Sequence, residues 1–553
     1  MKSFIVFSAT GILVMAGCGD DSAKTPADVA VSVDAEGDTT AETDVAADVV
    51  EVVPEGPLAR IFPLDPIHSE STVLVGLKNL AVPPTRLEGS FARVRSCTPD
   101  LDRGAKNTFN FQGGSIDTVS CIPEFKAQAV DGNFLHIEPP ATPADDNGAF
   151  AELTMYHHMS VVHSYYSDFY GIKDRDHSLD AITNISTWTS SCDAWTPWTN
   201  AAYVPREGLD YVMLGLSLSD TLGDAIVFSG TAARNFAFDT TVIYHEYTHA
   251  ILGATRLSGV FLDDQGFNNL PGALNEAYAD YFSGTLTEQA TVGQYALNDI
   301  AAADFCGAAA ADEPLENLAR DMTAVRRCPD DLVAEVHADS EIFSSALWAM
   351  RESLGKLHAD SIAIYAVLQL TEESDFGVAA MATIEAARDI LGDEKAAQVA
   401  GFFEERNLIA CERTVPVASV GARELSLRHE GTRVFGDSNP FPGYTPGYMQ
   451  YEMMVPEGTT RATITIGAQS GFGGPATVDI EGAFKFGGAI RYDLGQTVGG
   501  ATHDAELTVF SNGNTLKMQN ASGAVLRAGR WAMAIHNRSS RTLRVVSMDI
   551  VFE

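Results

Sequence analysis

The chain has 553 residues, 45% of them hydrophobic, and a formal net charge of −38 at pH 7. That length exceeds one ordinary domain, and the apolar fraction is enough for a sizeable core. So acidic a chain is not drawn to nucleic acid or to an anionic membrane surface by charge, so no nucleic-acid partner is expected.

The opening "MKSFIVFSATGILVMAGC" places one lysine, an apolar run and small residues in the order of a secretory signal, predicted over residues 1–17. The run is too short for a stable transmembrane helix. Its ending resembles a bacterial lipobox, with Ala16 and Gly17 before Cys18 and Met15 where Leu is usual. The resemblance implies lipidation at Cys18 and a membrane attachment through that lipid. Gly19 stands where Asp would retain a lipoprotein at the inner membrane, so the expected place is the outer membrane or cell surface. The competing reading is an ordinary cleaved signal with an incidental cysteine. Residues 18–56 are predicted to be an acidic disordered tether. From Gly19 on they hold eleven carboxylates, one lysine and no aromatic residue, too little apolar surface to offset ordering. A flexible chain of that length spans about 30–40 Å.

Residues 57–150, rich in Gly, Pro, Thr and Val with short alternating runs such as "TVLVGL", predict a β-rich N-terminal lobe. At 149–170 the apolar period changes to three and four, which predicts a helix. His157, His158 and His163 on it read as packing or surface residues. Further helices are predicted at 240–252, 270–289, 338–355 and 376–405, the last as two, so that 151–412 forms a helical lobe. After Cys411 short alternating runs return, among them "RATITIGA" and "GRWAMAIHN", and predict a β-sandwich module over 413–553. The fold class is therefore α+β, in two lobes followed by an all-β module. Setting Cys18 aside leaves six cysteines, an even number that suggests disulfides in an exported chain. Spacing favours Cys97–Cys121 and Cys306–Cys328, leaving Cys192 with Cys411. No CxxC pair is present, so a cysteine zinc site is not expected.

The segment "TTVIYHEYTHAIL" at 240–252 carries the chemistry. His245 and His249 stand one helical turn apart on one face and can share an ion. A catalytic zinc needs a third protein ligand. It is available in "PGALNEAYADYFSG" (271–284), where Glu276 completes a His–His–Glu set and Asp280 lies one turn on, able to accept the free N–H of a liganding histidine. The apolar residues around these acids predict a buried helix, and buried carboxylates need partners.

"HEYTH…NEAYAD" resembles the glutamate zincins, thermolysin and its fungalysin relatives. "WTNAAYVP" (198–205), "GDAIVFSG" (223–230), "EVHADSEIFSSALWAM" (335–350), "ARIFPLDP" (59–66) and "FLHIEPP" (134–140) resemble further stretches of that family, so the likeness spans about 57–410. It implies a thermolysin-like two-lobed metallopeptidase with zinc on His245, His249 and Glu276, Glu246 as general base and His337 as donor to the oxyanion. It implies that Asn200 and Ala201 bind an extended peptide or protein substrate. The departures are Ser340 where Gly commonly precedes the glutamate, here Glu341, and a tether alone before residue 57, where these families usually carry a large propeptide. Calcium is a candidate second ion from Asp263, Asp264 and the overall acidity, without a complete loop motif. The expected function is a secreted or surface-anchored zinc endopeptidase. The alternative is a surface adhesin or binding lipoprotein on a weakened peptidase fold.

Overall fold

In this computed structural model the described residues are 54–553, apart from 112–113, 143–144, 206–222, 232, 254–256, 258–260, 299–316, 421–424, 428–445, 471–477, 492–503, 505 and 540–542. The predicted signal, Cys18, the tether up to residue 53 and Cys306 lie outside them.

The N-terminal part is built on a five-stranded sheet in the order Ala201–Val204, Ala225–Phe228, Leu179–Thr183, Ala92–Thr98, Ile122–Glu124. Its three central strands run parallel and its two outer ones antiparallel to their neighbours. Parallel strands are normally covered on both faces, and Leu179–Thr183 and Ala225–Phe228 are buried at every position. The predicted helix, Ala149–Ser164, packs on this sheet and runs on through a π-helical turn at Tyr165–Phe169. A second, antiparallel sheet orders Lys106–Phe111, Gly114–Ser120, Ser186–Thr189 and Ala194–Pro197. Both sheets therefore draw strands from either side of residue 150. The strand Ala201–Val204 ends the five-stranded sheet, so one of its edges faces the helices that follow.

Two helices frame that edge. The first, Thr240–Leu252, starts at Asp239, whose carboxylate accepts from the Thr241 N–H, and stops at Gly253. The second, Leu270–Thr287, starts where the Asn268 side chain accepts from the Leu270 N–H, with Pro271 in its first turn. They pack side by side. Val336–Leu354, Phe376–Leu391 and Asp393–Glu405 follow, as the periodicity predicts. Lys356–Val367 is a further helix that the pattern does not reveal: Gly355, at φ 79°, joins it to the preceding helix without a loop, and a buried Asp360 interrupts its apolar stripe.

The C-terminal part forms two sheets, one ordered Thr414–Pro416, Pro446–Val455, Gly529–Asn537, Ile480–Phe486 and the other Leu425–Leu427, Leu543–Phe552, Arg461–Ser470, Thr515–Asn520, Leu507–Asn512. Tyr451, Met453 and Trp531 from one and Ile464, Ile466 and Leu516 from the other share one apolar core. The mixed α+β class with a helical middle and further β-sheets agrees with the expectation.

Cys97 and Cys121 form a disulfide. Cys328 is joined to Cys411, which corrects both the Cys306–Cys328 and the Cys192–Cys411 pairings; Cys192 is also disulfide-bonded. The reason is spatial. The end of the last helix folds back on Cys328, whose N–H donates to the Arg406 carbonyl and whose carbonyl accepts from the Asn407 amide. That brings Cys411 within 5.5 Å, Cα to Cα.

Candidate active site

Helical spacing puts the His245 and His249 rings on the face of Thr240–Leu252 turned toward Leu270–Thr287. Their Nε2 atoms lie 3.0 Å apart. Glu276 meets both: one carboxylate oxygen is 3.1 Å from His245 Nε2 and the other 3.5 Å from His249 Nε2. A tetrahedral zinc with bonds of about 2.0–2.1 Å separates its ligand atoms by about 3.3 Å, and these distances bracket that value. Glu276 Oε2 is buried without a hydrogen bond. An orphaned carboxylate oxygen facing two imidazoles is what a metal ion would satisfy, so the donor set fits zinc. Among the described residues this is the one trio of such ligands within 4.8 Å of one another.

The surrounding shell fixes the rings. His245 Nδ1 lies 2.9 Å from Asp280 Oδ1, so Asp280 accepts the second N–H of this histidine. Asp280 is fully buried and takes two hydrogen bonds of 2.7 Å from Arg320. His249 Nδ1 lies 2.7 Å from the Asn275 carboxamide oxygen. Both imidazoles are thereby held with Nε2 toward the centre. Burial disfavours the charge on Asp280, but Arg320 and His245 outweigh it and hold the carboxyl at about 2. Burial likewise opposes ionisation of Glu276, and His337, His249 and His245 hold it well below the usual carboxylate range. His245 is pushed up to about 9 against burial by Asp280 and Glu276. The field of the site calls for positive charge at its centre, which a cation supplies as well as a proton.

Glu246 points elsewhere. Its Oε2 accepts the Tyr203 backbone N–H at 2.7 Å, bringing it to the edge strand Ala201–Val204. His337 stands in the first turn of the helix Val336–Leu354 with Nε2 3.6 Å from Glu276 and Nδ1 2.7 Å from Glu335. Glu335 also caps that helix by accepting the Ala338 N–H. Burial opposes a charge on His337, and Glu276 and Glu335 push it up to about 9. Asn200 and Ala201 open the edge strand, the Asn200 side chain accepting from the Ala201 N–H. Asp264, one of the candidate calcium ligands, is paired with Arg491 at 2.8 Å. His158 and His163 are buried away from the trio, on Tyr244 and the Phe62 carbonyl and on Asp176 respectively. Cys18 lies outside the described residues.

Four participants went unassigned in the sequence. Asn275 stands directly before Glu276 and Glu335 two residues before His337, so the motifs already contain them. Arg320 comes 40 residues after Asp280 and Tyr203 precedes Glu246 by 43, with no local pattern to tie either to its partner.

No curated protein matches the chain in sequence. Among solved structures, the precursor of protealysin, a metalloproteinase from Serratia proteamaculans, aligns at 14% identity with a TM-score of 0.35, over 60% of this chain and 91% of its own. The family model of the thermolysin metallopeptidase alpha-helical domain matches residues 265–407. That span takes in Glu276, Asp280, Arg320 and His337, so over these residues the chain is similar to the helical domain of the thermolysin metallopeptidases.

Proposed function

We propose that this protein is a zinc endopeptidase acting on peptide or protein substrates. One observation carries the reading: His245, His249 and Glu276 converge on one point while Glu246, next in the chain to His245, is directed to a sheet edge. An extended peptide lying along the edge strand at Asn200 and Ala201, as an added strand, would bring its backbone to that point. Zinc, when bound there, supplies a Lewis acid that polarises the scissile carbonyl and acidifies water. Glu246 takes the proton of the attacking water and passes it to the leaving amine. His337, oriented by Glu335, donates to the developing oxyanion, a contribution of roughly 3–4 kcal/mol in comparable sites. We further propose that the chain is exported and held at the envelope by lipid on Cys18; among the described residues no helix is long and apolar enough to cross a membrane.

The test is elemental analysis of the full chain together with casein cleavage, before and after a chelator and after zinc is restored. One zinc per chain, with cleavage lost to the chelator and recovered on zinc addition, is expected. Active protein free of transition metal would overturn the reading. A Cys18→Ser form released from membranes that retain the parent is the outcome expected for anchoring.

A further inference from the structure

Arg175 stands outside the constellation described above and touches two of the elements that frame it. Its Nε donates to the Ala250 carbonyl, in the last turn of the His245–His249 helix, at 2.7 Å. Carbonyls there have no partner within the helix, and a cation complements that end of the helix dipole. A second guanidinium nitrogen donates to the Tyr203 hydroxyl at 2.8 Å, and the third is paired with Asp224. The Tyr203 hydroxyl in turn donates to Asp224 at 2.6 Å, so the phenol is gripped from two sides. Asp224 directly precedes Ala225–Phe228, the strand beside the edge strand.

Tyr203 is the connection. Its side chain is held by Arg175 and Asp224, while its backbone N–H donates to Glu246. Arg175 and Asp224 are 13% and 18% exposed, so their attraction is less screened than that of a surface pair. The three bonds leave one planar fork in three directions, to a helix end, a strand side chain and a carboxylate. A lysine ammonium cannot reproduce that geometry.

We propose that Arg175 is a positioning residue for Glu246: through Tyr203 it sets the edge strand against the His245–His249 helix and so holds the Tyr203 N–H on the carboxylate. This rests on the reading of Glu246 as the base. Arg175 bonds to the Ala250 carbonyl, Asp224 and the Tyr203 hydroxyl, and it acts on where the base stands.

The experiment uses Arg175→Lys and Tyr203→Phe in the full chain, the second keeping ring and backbone and removing one hydroxyl. Amide hydrogen exchange at Tyr203, zinc content, and kcat and KM on a peptide substrate are measured. Exchange at Tyr203 should quicken about tenfold or more as the local structure opens more readily, with the amides of Thr240–Leu252 unchanged. Zinc should remain at one per chain, and kcat should fall about tenfold with KM within about twofold, as misplacement of a reacting group predicts. Unchanged exchange at Tyr203 in both variants overturns the proposal, as does a raised KM with kcat intact or a loss of zinc. If the parent chain cleaves no peptide, the proposed function falls, while the exchange measurement still decides whether Arg175 holds the strand on Glu246.

Discussion

At the scale of single residues, the proposed site separates groups that would hold a metal from a group that would move a proton. Glu276 is enclosed by three imidazoles, whereas Glu246 is turned to the Tyr203 N–H. Glu246→Gln should therefore retain zinc and lose about 10²–10⁴-fold in kcat, the share of general base catalysis. Glu276→Gln should lose both zinc and activity, because a neutral amide is a poor ligand. Zinc titration beside peptide hydrolysis checks the order, and a Glu246→Gln form as fast as the parent would refute the assignment. Asn275→Ala removes the acceptor that orients His249 and should weaken zinc about 10–100-fold without unfolding the chain. Asp280→Asn should weaken zinc to a similar degree and also destabilise the fold by about 3–5 kcal/mol, since Arg320 is left buried without its counter-charge. Denaturant unfolding of the metal-free forms separates the two, with Asn275→Ala expected to match the parent.

At the scale of elements, His158 shows how packing sets a titration. It lies between the helix Ala149–Ser164 and the His245–His249 helix, with Nδ1 3.1 Å from the Tyr244 hydroxyl and Nε2 3.0 Å from the Phe62 carbonyl. A neutral ring donating from Nε2 and accepting at Nδ1 satisfies both. Full burial, with His157 adding to it, pushes its pKa down to about 3. Between about 6.5 and 3 the unfolded chain thus binds a proton at this site that the folded chain does not. Its contribution to stability is present above pH 6.5 and is lost as pH falls through that window. The slope from this one group approaches about 1.4 kcal/mol per pH unit. Unfolding of parent and His158→Gln between pH 7 and 4 should give a shallower acid loss for the variant, and parallel curves would refute the account. The helix carrying His158 was legible from its period of three and four. Its partners were not, because Phe62 and Tyr244 come from segments on either side of it in the chain.

At the scale of the whole molecule, the C-terminal sheets are joined covalently to the helical part. Cys328 lies in the loop before the helix Val336–Leu354, and Cys411 lies just ahead of the first C-terminal strand. Gln450 adds to the seam, donating to the Gln265 carbonyl at 3.3 Å, just before the Glu276 helix. The disulfide spans 83 residues, and closing a long loop restricts the unfolded chain, typically by about 2–4 kcal/mol. A Cys328→Ser, Cys411→Ser double variant should unfold at lower denaturant and lose its C-terminal sheets to limited proteolysis first. A double variant as resistant as the parent would show that the noncovalent seam suffices.

What the sequence by itself determined was local. His245, Glu246 and His249 share one helix, where a spacing of four residues dictates one face, and Glu276 and Asp280 follow the same rule on the next. Alternation marked most C-terminal strands for the same reason. Tertiary structure decided which distant groups meet: Arg320 on Asp280, Tyr203 on Glu246, Cys411 on Cys328. Periodicity reports the side on which a residue lies, and carries no information about what packs against that side. Those pairings follow from how the sheet edge, the two helices that carry His245 and Glu276 and the end of the last helix close around one core.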